Sequence, residues 1–119
     1  MTDQAKAFEK IRGQLAKDKV VIYMKGTPQF PRCGFSRQAV EILKHHLGGK
    51  PFGAYDVLTD EELWNHLDEL SGWPTFPQVF IGGQLVGGCD IVSEMHESGE
   101  LKAALEKAFG AAPAAPATA

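Results

Sequence analysis

Apolar residues recur along the chain at two different spacings, which together predict alternating helices and strands. Residues 4–17 place Phe8, Ile11 and Leu15 three and four positions apart among polar residues, which predicts an amphipathic helix. Val20–Met24 is apolar at consecutive positions and rich in β-branched residues, a pattern typical of a strand that is covered on both faces. The first two predicted elements are therefore a helix and a central strand.

The rest of the pattern completes a mixed sheet. In chain order it predicts a helix over residues 34–47, a strand over 52–58, a helix to about residue 70, a hairpin of strands 78–81 and 84–86, and a last helical region that Gly99 divides. Thr59 and Glu62 have capping-box spacing, so Thr59 is the predicted N-cap of the third helix. With the first two strands parallel and the last two antiparallel, the order indicates an α/β, thioredoxin-like fold with a four-stranded mixed sheet flanked by helices.

Composition and charge indicate one globular domain and argue against some classes of function. With 119 residues, 44% of them hydrophobic, the chain suits one domain with its own core, which we place at residues 1–110. Residues 111–119 are only Ala, Pro and Thr and are predicted to form a mobile tail. A net charge of -3 argues against a nucleic-acid surface, because such surfaces need a basic excess. The strongest apolar run, Val20–Met24, is too short to span a membrane.

Cysteine usage indicates a reducing compartment. The chain has two cysteines, which make no disulfide framework, and its first ten residues lack the apolar segment of a secretory signal. The sequence therefore predicts a cytoplasmic location.

The most informative segment is Cys33-Gly34-Phe35-Ser36, which has the outline of a C-x-x-C redox motif with serine at the second position. A hydroxyl cannot resolve a mixed disulfide as a thiolate does, so Cys33 is left as a single nucleophilic or metal-binding sulfur. Cys33 precedes a helix, whose free N-H groups and dipole favour the thiolate, and Lys25 could add a positive charge. The alternative, a small buried hydrophobic cysteine, fits poorly with the flanking Pro31 and Gly34.

Two further segments are candidates for binding a ligand beside Cys33. Thr75-Phe76-Pro77 precedes the third strand, and its backbone could pair with an extended peptide. Gly87-Gly88-Cys89-Asp90 opens another helix, where N-H groups can hold a carboxylate and Asp90 can pair with an amine. A simple helix cap explains the second segment equally well. Glutathione fits this set of groups, as do many amino-acid ligands.

Other residues suggest chemistry less strongly. Adjacent His45 and His46 point about 100° apart on a helix, and with His66 they are predicted to lie on solvated faces rather than to bind a metal. Trp64 has the helical spacing of a packing residue, and core or half-buried packing is favoured over a stacking platform.

Four ordered motifs resemble those of the monothiol glutaredoxins of CGFS type. They are Met24-Lys25-Gly26-Thr27-Pro28, Pro31 with Cys33-Gly34-Phe35-Ser36, Trp73-Pro74-Thr75-Phe76-Pro77, and Gly87-Gly88-Cys89-Asp90-Ile91. The resemblance covers about residues 8 to 109. It implies a thioredoxin fold, glutathione binding, and a 2Fe-2S cluster held in a homodimer by Cys33 of each chain and the thiols of two glutathiones. One accessible sulfur per chain agrees with a four-thiolate site assembled in this way.

Site roles follow from the same resemblance. Cys33 is the implied cluster ligand and catalytic thiol, and Pro77 the implied cis proline. The resemblance further implies that glutathione is held by Lys25, Phe35, Thr75, Phe76, Pro77, Gly88, Cys89 and Asp90. One departure stands out, because many relatives have Arg and Lys where this chain has Trp64 and Asp68. Losing those cations is expected to weaken the hold on the glycyl carboxylate by about 1 to 3 kcal/mol.

The resemblance implies an iron-sulfur carrier that hands its cluster to acceptor proteins, with a BolA-like protein as a further partner. The rival interpretation is a glutathione-dependent oxidoreductase that acts on protein-glutathione mixed disulfides through Cys33. In that case Cys89 could resolve the disulfide, although a structural role for Cys89 is favoured. A third interpretation is an adaptor that needs neither cluster nor turnover.

Overall fold

The computed structural model describes residues 2–110 and contains the predicted elements in the predicted order. The predicted tail over residues 111–119 lies outside the described residues. The elements are α1 (Asp3–Lys17), β1 (Val20–Met24), α2 (Gly34–Leu47), β2 (Gly53–Asp56), α3 (Glu61–Ser71), β3 (Gln78–Ile81), β4 (Gln84–Gly87), α4 (Cys89–Ser98) and α5 (Glu100–Gly110). Gly99, in the left-handed conformation at φ +89°, separates α4 from α5, as the pattern predicted.

The four strands form one mixed sheet in the order β2-β1-β3-β4. β1 runs parallel to β2 and antiparallel to β3, and β3 and β4 form the predicted hairpin. All five residues of β1 are buried, which confirms that it is a central strand. Because Tyr23 pairs with Gln78, the residues that follow β1 lie beside those that precede β3.

Helices cover both faces of the sheet and give it two cores. On one face, alternate residues of β1 such as Ile22 pack with α2, α4 and α5 around Leu43 and Leu101. On the other face, Tyr23 packs with α1 and α3 around Ile11 and Leu67. A strand apolar at every position is required for this arrangement, since alternation would serve only one face. Within the described residues, no helix is long and apolar enough to cross a bilayer.

β2 is shorter than its predicted range of 52–58, because Asp56 turns the chain. The Oδ1 atom of Asp56 accepts hydrogen bonds from the N-H groups of Gly26 (3.0 Å) and Leu58 (2.9 Å). An Asp side chain that bonds to the backbone two residues ahead makes a turn, so the strand ends there. The same carboxylate fastens the start of the loop that leads to Cys33.

The predicted N-cap of α3 is wrong by one residue. The Oδ1 atom of Asp60 accepts the N-H of Leu63 at 3.2 Å, whereas the Thr59 hydroxyl lies 3.4 Å from the Asp56 carbonyl oxygen. Thr59 is thus engaged in the preceding turn, and the helix begins one residue later. Glu62 does not complete a capping box with Thr59, and its carboxylate pairs instead with Lys10 of α1 at 3.2 Å.

Candidate functional site

The predicted site residues lie together in one open cleft of about 650 Å³. The pairing of β1 with β3 brings its two main walls together, and the start of α4 and the face of α3 complete it. All nine predicted site residues line this cleft: Lys25, Cys33, Phe35, Thr75, Phe76, Pro77, Gly88, Cys89 and Asp90. The lining also includes Trp64, Asp68, Trp73 and Pro74. The structure therefore places the predicted residues in one site, and their individual binding roles stay predictions.

Cys33 is the N-cap of α2 and is partly exposed. The nearby backbone N-H of Ser36 is the main influence that lowers the pKa of the Cys33 thiol. The N-H of Phe35, the charge of Lys25 and the Ser36 hydroxyl lower this pKa further, while partial burial opposes them. A sulfur at a helix start with these donors favours the thiolate, which is the form that attacks disulfides and binds metals.

Ser36 has a structural role that the sequence alone did not reveal. Its side chain is fully buried, and its Oγ accepts the N-H of Lys25 at 3.1 Å. This bond ties the first turn of α2 to the end of β1, so it fixes Cys33 next to Lys25. The residue that replaces the second thiol of a C-x-x-C motif thus holds the first sulfur in place.

The loop between Lys25 and Cys33 is tightly held. The N-H of Arg32 donates to the carbonyl of Lys25 at 2.8 Å, and Gly26 has a φ of +93°. A Cβ at Gly26 would lie 2.5 Å from the carbonyl oxygen of Phe30, so only glycine fits. The loop projects Phe30 into solvent, and Phe35 beside Cys33 is also exposed. Two exposed aromatic side chains therefore flank Cys33 in the sequence.

The opposite wall is the segment before β3. The Phe76-Pro77 peptide bond is cis, as the resemblance implied. The buried Gln78 holds this segment, since its Nε2 donates to the carbonyls of Trp73 (2.9 Å) and Thr75 (3.2 Å). Sequence reasoning did not single out Gln78. A polar residue opening a strand that is otherwise apolar was the available signal.

The start of α4 closes the third side of the cleft. Gly88 is the N-cap of this helix, and a Cβ at Gly88 would lie 3.3 Å from the carbonyl oxygen of Pro77. A side chain at this position would therefore make a tight contact with the opposite wall. Cys89 is buried, and burial is the main cause that raises the pKa of its thiol. Asp90 is exposed at the cleft. The two cysteines thus differ in burial and in the direction of their pKa shifts, with Cys33 resembling a reactive thiol and Cys89 a structural one.

Trp64 on the α3 wall is half-buried and packs against Phe76, which agrees with the half-buried packing that its spacing favoured. Trp64 is 50% exposed and stacks on Phe76, with ring centroids 5.7 Å apart and planes 29° apart. Asp68 lies one helical turn further along and also lines the cleft. An aromatic ring and a carboxylate therefore occupy this wall.

The histidines are arranged differently from the prediction. His45 is exposed, as predicted, whereas His46 is half-buried and its Nε2 lies 2.8 Å from the Nδ1 of His96 in α4. Sequence reasoning missed this contact because the two residues belong to different helices. Burial and the nearby His96 lower the pKa of His46. His66 is half-buried and contacts Glu69 at 2.7 Å.

A metal site built from this chain alone is not visible in residues 2–110, where no group of three or more His, Cys, Asp or Glu side chains could hold an ion. Cys33 is the accessible sulfur and Cys89 is buried. The donors present therefore fit a cluster that takes one thiolate from this chain and obtains its remaining ligands elsewhere.

Comparisons with known proteins agree with this geometry. The family model described as Glutaredoxin matches residues 20–86. The chain is 47% identical to Glutaredoxin 4 of Pasteurella multocida, over 82% of this chain and 88% of that protein. It is 55% identical to Monothiol glutaredoxin-S11 of Oryza sativa subsp. japonica over 70% of this chain, which spans only 16% of that longer protein.

Solved structures give the same fold. The solution structure of reduced apo GrxS14 from poplar matches with a TM-score of 0.76 and 45% identity, over 86% of this chain and 92% of that one. The crystal structure of a buckwheat glutaredoxin-glutathione complex matches with a TM-score of 0.75 and 27% identity, over 89% of this chain and 93% of that one. The predicted thioredoxin-like fold is confirmed.

The fold and the cleft define a thioredoxin-fold protein with one reactive cysteine at a helix start. The chain belongs to the glutaredoxin family, and Cys33 with Ser36 makes it a monothiol member of CGFS type.

Proposed function

We propose that the chain binds glutathione and a 2Fe-2S cluster at a homodimer interface and passes the cluster to acceptor proteins. One observation carries the proposal: of the two cysteines, Cys33 is accessible and Cys89 is buried, and the surroundings of Cys33 lower the pKa of its thiol. A 2Fe-2S cluster generally takes four thiolates. Two chains and two external thiols satisfy that requirement, and a cluster with two exchangeable ligands can be handed on.

The cleft supports glutathione as the external thiol. The N-H groups at the start of α4 suit the γ-glutamyl carboxylate, and Asp90 suits its amine. The backbone of Thr75 and Phe76 suits the cysteinyl part, which brings the glutathione sulfur toward Cys33 and Lys25. When bound, the cluster would supply labile iron and sulfide. This chain's own residues would position the thiols, and the donors around Cys33 lower the pKa of its thiol.

Anaerobic reconstitution tests this function. Iron, sulfide and the reduced apo protein are mixed with and without glutathione, then followed by visible absorption and gel filtration. We expect a coloured dimer only with glutathione, and a colourless monomer from Cys33→Ser under both conditions. A colourless wild-type product in both mixtures would refute the carrier function.

A second candidate is supported by the lowered pKa of Cys33. The Cys33 thiolate would attack the glutathione sulfur of a mixed disulfide and release the protein thiolate. A second glutathione thiolate would then attack the Cys33-glutathione disulfide, releasing Cys33 and glutathione disulfide. Efficient turnover of a glutathionylated peptide, lost in Cys33→Ser, would place this activity above the carrier function. A BolA-like partner and a cytoplasmic location are predictions from the resemblance and the sequence.

A further inference from the structure

The cleft is unequally charged along its length. Its lining contains one cation, Lys25, and two carboxylates, Asp68 and Asp90. The helix that carries Asp68 contains Glu61, Glu62, Asp68 and Glu69 but no Lys or Arg. Lys10 pairs with Glu62 and His66 contacts Glu69, whereas Asp68 has no ion-pair partner among the residues described. The α3 wall therefore presents an uncompensated negative charge to the cleft.

Two features strengthen the negative potential at this wall. Asp68 lies in the last turn of α3, where the helix dipole is negative and where this helix has no basic residue. Trp64, one turn before Asp68, stacks on Phe76 and remains 50% exposed. An indole face beside a carboxylate attracts a cation, whereas it makes no favourable electrostatic interaction with a second carboxylate.

Ligand orientation determines which group meets this wall. This step rests on the proposed function, in which the γ-glutamyl end lies at Asp90 and the cysteinyl part pairs with the Phe76 backbone. The C-terminal end is then the part of the ligand left to meet the α3 wall, where Trp64, packed on Phe76, and Asp68 line the cleft. In glutathione this end is a glycyl carboxylate, which would face Asp68.

We propose that Trp64 and Asp68 select a glutathione-type thiol whose C-terminal end is neutral or positively charged. The favoured ligand class is a γ-glutamyl-cysteinyl peptide that carries an amine on an amidated C-terminus. Asp68 pairs with the ammonium group and Trp64 covers it. Free glutathione binds the same cleft more weakly, because its carboxylate is repelled at the α3 wall.

Calorimetric titration of the reduced apo protein tests this selectivity. The probes are S-methylglutathione, its glycyl ethyl ester and its glycyl amide with ethylenediamine, whose C-terminal ends are anionic, neutral and cationic. We expect the amine to bind about tenfold more tightly than the acid, with the ester between them and the difference shrinking as salt is added. Asp68→Asn should reduce the ratio to a few-fold, and Asp68→Lys should reverse it.

Glu69→Lys is the matched control, since it makes the same charge change on the same helix but outside the cleft lining. It should keep the wild-type order of affinities. Equal binding of the three probes to the wild type, or tightest binding of the acid, overturns the selectivity while leaving glutathione binding intact. Failure of all three probes to bind overturns the glutathione site itself, and the selectivity with it.

Discussion

At the scale of single residues, Cys33 is activated mainly by backbone groups. The N-H of Ser36 is the largest influence on its lowered pKa, ahead of the N-H of Phe35 and the charge of Lys25. Helix starts supply such donors whatever the side chains are. Ser36 contributes by bonding the N-H of Lys25 and so fixing the geometry. Activation therefore survives the loss of the second thiol.

Alkylation of Cys33 as a function of pH tests this order of causes. Because its pKa is lowered, Cys33 should react at half-maximal rate at a lower pH than the same cysteine in an unfolded peptide. Lys25→Gln should move the midpoint upward but not to the peptide value, since the backbone donors remain. The buried Cys89, with a raised pKa, should react more slowly. Mass spectrometry distinguishes the two cysteines by their peptides.

Lys44→Gln is the control for this experiment, because it removes an exposed lysine from the other end of α2, outside the cleft lining. It should leave the midpoint of Cys33 unchanged. A Lys25→Gln profile identical to that of Lys44→Gln would contradict the contribution of Lys25. A wild-type midpoint at or above the peptide value would contradict the activation of Cys33 altogether.

At the scale of elements, the start of α3 depends on two neighbouring polar residues with different partners. Asp60 caps the helix through the N-H of Leu63 and also pairs with Lys10 of α1. Thr59 reaches only the Asp56 carbonyl, at 3.4 Å. Asp60 thus joins two helices that share one face of the sheet, while Thr59 belongs to the turn.

Matched alanine substitutions separate these two roles. Asp60→Ala should lower the free energy of unfolding by about 1 to 2 kcal/mol, most of it from the lost cap and little from the partly exposed ion pair. Thr59→Ala should change it by less than about 0.5 kcal/mol. Urea unfolding followed by circular dichroism measures both. A larger cost for Thr59→Ala than for Asp60→Ala would restore Thr59 as the cap.

The start of α3 also shows which features of the elements could not be predicted from the sequence. Apolar spacing, together with turn and capping residues, located every helix and strand in residues 2–110, because burial dictates the spacing of apolar residues in both kinds of element. It could not choose between Thr59 and Asp60, since both are good capping residues and the choice depends on Asp56. Nor could it see His46 meet His96, a contact made only when α2 packs on α4.

At the scale of the whole molecule, the site exists because the sheet joins distant segments. The pairing of Tyr23 with Gln78 places Lys25 near Pro77, and this juxtaposition could be predicted once the fold was recognised. The hydrogen bonds of Gln78 and Ser36 could not, because they depend on how far buried side chains reach between segments. The stacking of Trp64 on Phe76 could not be predicted for the same reason, since helical spacing does not reveal which side chain of another segment a half-buried ring meets.

If two chains assemble around one cluster, a mixture of wild-type and Cys33→Ser chains should form cluster-bound dimers of one kind only. Wild-type chains and differently tagged Cys33→Ser chains are combined, reconstituted with glutathione and separated by gel filtration and by tag. If each chain supplies one thiolate, the coloured fraction should have the mass of two chains and contain only wild-type chains. Cys89→Ala chains, which keep the backbone N-H and lose a buried thiol, should enter it. A coloured monomer, or coloured pairs containing Cys33→Ser chains, would show that the cluster does not require Cys33 from both chains.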